Sequence, residues 1–166
     1  APRVISAENQ FIIDTFMKDA VSRGTGVKAM ALERKDLAGK TGTANEQKDT
    51  WFNGYQRHVV TNVWVGFDSP ESLGRGEVGG RVALPIWIDF MRVALDRKPE
   101  RFLPQPTDII SVRIDPKTGL LANDSTQNFI FEYFRKQYVP TTTTSSQESS
   151  QPQAQGDGDD NLMELF

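Results

Sequence analysis

A chain of 166 residues with 19 Lys and Arg, 22 Asp and Glu, 37% hydrophobic and 10% aromatic residues can bury one core and lies outside the disordered class as a whole. The absence of cysteine excludes disulfide scaffolds, thiolate metal sites and cysteine nucleophiles, and the single histidine argues against a histidine-based triad. No run approaches the roughly 18 apolar residues of a membrane span, and the longest apolar region, Val82 to Leu95, is interrupted by Pro85, Asp89 and Arg92.

The charge is unevenly spread. Glu148, Asp157, Asp159, Asp160 and Glu164 lie in residues 141–166 with no base among them, so the preceding body is near neutral. It lacks the dense basic stripe that a phosphate backbone demands, and nucleic acid is not an expected partner. The tail 141–166 runs through Thr, Ser, Gln and Pro to Gly156-Asp-Gly-Asp-Asp160, a composition that cannot offset its own ordering entropy, and is expected to be disordered. Its apolar end, Leu162 to Phe166, reads as a frayed terminus or a short docking segment, the terminus being the simpler reading. The chain opens on Ala1-Pro2-Arg3 without the basic and apolar regions of a signal peptide, which suggests a processed start or a piece of something longer.

In chain order, Ser6 as N-cap, Glu8 in the first turn and the spacing of Phe11, Ile12, Phe16, Met17, Ala20 and Val21 predict a helix over about 7–21, ended by Gly24-Thr25-Gly26. Asp14 and Lys18, four apart, are assigned to its polar side. Residues 36–45, 51–55 and 59–67 read as three consecutive, antiparallel strands, the last two joined at Gln56-Arg57-His58. A glycine-rich loop follows through Gly79-Gly80. Val82 to Asp96 predicts a second helix, apolar on two stripes and therefore expected to be largely buried, with Pro85 tolerated in its first turn. After a proline-punctuated connector, Ile109 to Ile114, the turn Asp115-Pro-Lys-Thr-Gly119 and Leu120-Leu121 predict a hairpin. Phe129, Phe131, Tyr133, Phe134 and Tyr138 close the ordered body. The fold class is α+β, an antiparallel sheet covered by helices.

The sharpest chemical signal is Lys40-Thr41-Gly42-Thr43 within the first strand. The triplet alone is weak, and Lys117-Thr118-Gly119 is a second copy that turn chemistry explains fully. In the first copy, Thr41 and Thr43 share a strand face, Lys40 and Gly42 alternate with them, and the glycine admits close approach of another backbone. A sheet edge here could pair with an extended peptide and offer hydroxyls and an ammonium to its carboxylate. A plain edge strand with surface Thr and Lys explains the same residues.

The run Asp36-Leu-Ala-Gly-Lys-Thr-Gly-Thr-Ala-Asn45, with Asp49-Thr-Trp-Phe-Asn-Gly-Tyr55, Val63-Trp-Val-Gly-Phe-Asp68 and Gly79-Gly80 to Pro85-Ile-Trp87, resembles the end of the transpeptidase domain of class A penicillin-binding proteins of the 1A type. Ile114-Asp-Pro-Lys-Thr-Gly-Leu-Leu-Ala122 is similar to a turn that follows that domain. The resemblance spans roughly residues 5 to 125. It implies the C-terminal portion of a penicillin-binding transpeptidase or serine β-lactamase-like fold. Residues 1–98 are then the end of the transpeptidase domain, 99–140 a C-terminal extension with its hairpin, and 141–166 the tail.

The same resemblance implies a serine-type D-Ala-D-Ala transpeptidase that cross-links peptidoglycan stem peptides through an acyl-enzyme and is trapped by β-lactams. Lys40 would assist proton transfer near the serine, Thr41 and Thr43 would hold the terminal carboxylate, Gly42 would keep the strand open, and the Thr43 N–H would form half of an oxyanion hole. No metal or cofactor is implied. No serine here has a Lys three residues later and no Ser-x-Asn occurs, so the nucleophile is expected on an upstream segment of the same protein. In class A proteins that upstream part would add a glycosyltransferase domain and the membrane anchor, at the periplasmic face of the bacterial inner membrane. Rival readings are a β-lactamase or β-lactam sensor and a non-catalytic interaction module.

Other residues read more simply as structural. His58 is assigned to a surface turn, Asp49 to capping or turn duty, and Asp159-Asp160 to a tail without rigid support for acid–base or metal work. Trp51, Trp64 and Trp87 are assigned to the core, with Trp51 able to wall the site.

Overall fold

A computed structural model describes residues 2–144, which form two compact units divided after Ile109. The tail expected to be disordered from residue 141 is held at its start, where Leu121 bridges Thr143 and donates its N–H to the Thr142 carbonyl at 3.0 Å; the rest of it from residue 145, with its docking end, lies outside the described residues. Among those described, no helix is long and apolar enough to cross a membrane.

The first unit begins with α1, Ala7–Ser22, whose N-cap Ser6 accepts the Asn9 N–H at 3.2 Å as the sequence predicts. A 3-10 segment, Val27–Leu32, follows; it has no capping or periodicity signal in the sequence and was not expected. Then come β1, Ala38–Thr43, β2, Asp49–Gln56, and β3, Val59–Gly66, in a sheet of order β1-β2-β3 with both pairings antiparallel. The register matches Gly42 with Trp51 and Trp51 with Trp64, which puts β1 at an open edge.

Helix α2, Ala83–Ala94, covers one face of this sheet and holds Pro85 in its first turn. Trp87 meets Phe52 edge-on at 4.9 Å between ring centroids and donates its indole N–H to the Thr61 carbonyl at 3.1 Å. Val63 and Val65 pack on the same core, with Leu84, Ile88, Met91 and Leu95 from the helix. Gly54 lies beneath the indole, where a methyl group would stand 2.6 Å from Trp87 Cζ2 and 2.7 Å from Phe52 Cε1. No side chain fits there, so the glycine sets how closely helix and sheet approach.

Three expectations are corrected. Only one stripe of α2 is buried, while Ile86 (51%), Phe90 (51%) and Val93 (77%) remain exposed in this chain. Of the three tryptophans only Trp87 is in the core; Trp51 and Trp64 are 40% and 43% exposed on the opposite sheet face, 6.2 Å apart. Asp14 is buried rather than on a polar side, because it accepts the Tyr55 hydroxyl at 3.0 Å and pairs with Lys18 at 2.7 Å. The Lys18 ammonium in turn sits 5.1 Å over the Phe102 ring. Burial first, and then the Asp14 charge and hydrogen bond, hold the Tyr55 phenol protonated well above its ordinary range.

Asp36, just ahead of β1, is 2% exposed and takes four donors. Arg34 grips it with two nitrogens at 3.0 and 2.9 Å, the Gln56 amide donates at 2.6 Å, and the Arg101 N–H at 2.9 Å. Arg34 spends its remaining arm on the Lys98 carbonyl at 2.8 Å, so the knot ties the start of β1 and the end of β2 to the connector.

The second unit contains β4, Ile109–Ile114, paired with β5, Ile130–Arg135. The expected hairpin reduces to one antiparallel bridge, Ile114 to Leu121, closed by Gly119 N–H to the Asp115 carbonyl at 2.8 Å with Gly119 at φ +72°. The main partner, β5, has no strand signal in the sequence reading; its Phe131 meets Phe129, just ahead of the strand, edge-to-face at 5.8 Å.

Two outcomes follow from this packing. Burial alone would raise the Asp36 pKa, but Arg34, the Arg101 N–H and Gln56 together outweigh it and hold the carboxyl below its ordinary 3.8. A depressed folded-state value means stability that is fully present above about pH 4 and lost as the pH falls through the folded value. Thermal melts between pH 7 and 2 will show an acid limb that Asp36→Asn flattens, at a cost near neutrality of roughly 3 kcal/mol for leaving a buried pair broken. Gly54→Ala will lower stability by about 2 kcal/mol or more through overpacking, read as an unfolding midpoint in denaturant.

Candidate functional site

The hydrogen-bond pattern of β1 decides which groups it offers. The Ala44 N–H donates to the Asp49 carbonyl at 2.9 Å, and antiparallel pairing alternates, so residues 42, 40 and 38 also bond toward β2. Gly39, Thr41 and Thr43 therefore turn their N–H and C=O groups to the open edge. The strand presents a row of backbone groups that no neighbouring strand among the described residues pairs, with Thr43 at its far end.

Lys40 leaves its own strand face and folds over this edge. Its ammonium donates to the Thr41 carbonyl at 3.1 Å, to the Thr41 hydroxyl at 3.1 Å and to the Thr25 hydroxyl at 3.4 Å. Thr25, in the turn after α1, stands 2.7 Å from the Thr41 hydroxyl. The cluster is exposed, so the cation lies at the surface beside two hydroxyls and a row of backbone donors.

The face of β1 that bears Thr41 and Thr43 is covered by the loop preceding α2. The Gly79 N–H donates to the Thr43 hydroxyl at 3.1 Å. A methyl group on Gly79 would stand 2.6 Å from the Gly42 carbonyl oxygen, and one on Gly80 would stand 2.9 Å from the Thr25 carbonyl. Backbone lies directly on backbone here, and the two glycines make that approach possible. On the other face, Trp51 lies under Gly42, with its ring fixed against Trp64, whose indole N–H donates to Asp49 at 2.8 Å.

The structure thus gathers Lys40, Thr41, Gly42 and Thr43 at one edge. It adds Thr25 and the Gly79 N–H, which reading for single residues passed over as a helix stop and a loop. Trp51 does border the strand. Asp49 holds Trp64 rather than capping a turn, and His58 sits exposed in the β2–β3 turn. Lys117-Thr118-Gly119 forms a turn in which Asp115 accepts the Lys117 N–H at 2.8 Å.

Known proteins resemble this chain over most of its length. Residues 1–88 match the penicillin binding protein transpeptidase domain, and residues 105–148 match the C-terminal domain of penicillin-binding protein 1A. Penicillin-binding protein 1A of Pseudomonas aeruginosa is 49% identical over 152 residues, 92% of this chain and 18% of that protein. The Vibrio cholerae protein of the same name is 39% identical over 170 residues, 87% of this chain and 21% of its own. The crystal structure of penicillin-binding protein 1A from Haemophilus influenzae aligns with a TM-score of 0.78 at 41% identity, covering 86% of this chain and 22% of that one. The chain spans about one fifth of the length of these relatives. A transpeptidase-domain match over more than half of the chain, joined to relatives of this identity and to the same fold, makes it a member of the penicillin-binding protein transpeptidase family.

Proposed function

We propose that this chain supplies the Lys-Thr-Gly strand of a serine-type D-Ala-D-Ala transpeptidase that cross-links peptidoglycan stem peptides and is acylated by β-lactam antibiotics. The observation that carries the reading is the open edge of β1, where the outward backbone of Thr41 and Thr43, their hydroxyls and the Lys40 ammonium converge. An extended peptide with a terminal carboxylate matches such an edge in both its backbone hydrogen bonding and its charge.

In this reading the nucleophilic serine belongs to an upstream segment of the same protein. Its oxygen attacks the penultimate D-Ala carbonyl, and Lys40 steadies the negative charge and eases transfer of the serine proton. The Thr43 N–H, one of the outward groups of the edge, donates to the oxyanion. Collapse breaks the amide bond, D-Ala leaves with the proton on its amine, and an amine of a neighbouring stem takes the acyl group from the serine. A β-lactam follows the first step, but its amine stays tethered to the acyl group. The hydroxyls of Thr41 and Thr43 hold the carboxylate of either ligand.

The match to the 1A-type C-terminal domain is a reason to prefer a cell-wall synthase over a β-lactamase or sensor. The whole protein is then also a peptidoglycan glycosyltransferase, anchored through an N-terminal segment at the periplasmic face of the inner membrane.

Intact-mass spectra of the protein joined to its upstream segment, taken before and after penicillin, test the assignment. The antibiotic's mass will appear on a serine outside these 166 residues; acylation of this chain itself would refute the reading. Lys40→Ala will slow acylation roughly 100-fold or more, the scale of one positioned proton-transfer group. Thr43→Val will slow it about 10-fold or more for carboxylate-bearing ligands, as one hydrogen bond to a charged group is lost with shape retained. Unchanged labelling in Lys40→Ala removes the role given to the ammonium.

A further inference from the structure

The hydroxyls of the edge differ in what holds them, and counting hydrogens shows why that matters. A hydroxyl has one hydrogen and two lone pairs, an ammonium has only hydrogens, and a carboxylate only accepts. Thr43 already accepts the Gly79 N–H at 3.1 Å, which leaves its single hydrogen to be given outward. Thr41 accepts a hydrogen from Lys40 at 3.1 Å and stands 2.7 Å from Thr25, a contact in which either oxygen can donate. Were Thr41 the donor, its only hydrogen would be spent inside the cluster and a carboxylate at the edge would meet an oxygen lone pair. The other polarity leaves both Thr41 and Thr43 with a hydrogen for the ligand. The Lys40 ammonium, 3.4 Å from the Thr25 oxygen, satisfies Thr25 as an acceptor and leaves its hydrogen for Thr41.

We propose that Thr25 is a positioning residue of this site: its hydroxyl donates to Thr41 and, with Lys40, fills both lone pairs of that oxygen, so that the Thr41 hydrogen cannot turn into the cluster and is aimed with that of Thr43 at a substrate carboxylate. Thr25 thereby sets the preference for an anionic over a neutral ligand terminus. The inference rests on the carboxylate-binding reading of β1 given above. Thr25 is placed for this by the Gly24–Gly26 turn that ends α1, and its carbonyl is buttressed by Gly80, where a methyl group would stand only 2.9 Å away.

The test compares second-order acylation rates for a penicillin and for its carboxyl methyl ester in the protein joined to its upstream segment. The parent, Thr25→Val, Thr25→Ser and Thr41→Val are compared, with melting temperatures recorded for each. Thr25→Val will lower the penicillin rate about 10-fold while moving the ester rate less than about 2-fold, and Thr25→Ser will stay near the parent. The same penicillin-to-ester ratio in Thr25→Val as in the parent, with a reduced ratio in Thr41→Val, overturns the role of Thr25 alone. Unchanged ratios in both variants overturn the carboxylate-binding reading on which it rests. Equal loss of both rates together with a lowered melting temperature marks a merely structural residue and also overturns the proposal. Thr25→Ala carries the same comparison if the valine variant does not fold.

Discussion

A single buried carboxylate fixes where the functional strand begins. Asp36 binds a guanidinium, an amide and a backbone N–H drawn from before β1, the end of β2 and the connector, segments up to 65 residues apart. Stripped of these partners it would be a charge out of water, so the segments are bound to one another by the cost of leaving it alone. Four residues later the chain reaches Lys40 with its register already set. The knot makes no contact with the edge cluster; its contribution is to make the strand's position non-negotiable.

At the other end of the strand the constraint is steric rather than electrostatic. The Gly79 backbone rests on Gly42 and Gly80 on the Thr25 carbonyl, while in the neighbouring strand Gly54 lets Trp87 rest on the sheet. The strand is therefore located by a charge before its start and by backbone resting on backbone at Gly42 near its end. Such a support is stiff, because neither a buried ion pair nor a missing Cβ leaves a side chain that could rotate to relieve it. A hydroxyl pair required to meet a carboxylate within a few tenths of an ångström needs a support of that kind.

Much of this was legible in the sequence and some was not, for reasons that differ. Helix α1, the three-stranded sheet, α2 and Pro85 in its first turn announced themselves through periodicity and capping, which are local. The edge position of β1 was only a condition in the reading of the Lys-Thr-Gly run, and the strand order β1-β2-β3 supplies it. Strand β5 was missed because its partner, β4, lies beyond an intervening turn that competes for the same pairing. The burial of Asp14 was missed because four-residue spacing with Lys18 describes a surface pair equally well, and only Tyr55, from a different element, distinguishes the two. Trp51 and Trp64 looked like core because large aromatics usually are; among the described residues both are left part-exposed. Thr25 was read only as part of a helix stop, and Gly79, though within a run that carries the resemblance, was given no role at the strand. Their part in the site is a property of the turn and loop that bring them to β1, and no window of sequence contains both.

The uncovered edge of β1 has a further side. A row of outward N–H and C=O groups is a template for any extended chain, including a second copy of the same strand, and sheet proteins with such edges tend to stick to one another. The Lys40 side chain, folded across that edge onto the Thr41 carbonyl, puts a fixed positive charge where a neighbouring strand would have to lie. Two copies brought edge to edge would bring two ammoniums together, whereas a ligand ending in a carboxylate would meet an opposite charge. On the proposed reading, the charge that would draw in an acidic peptide end is also a guard against self-pairing.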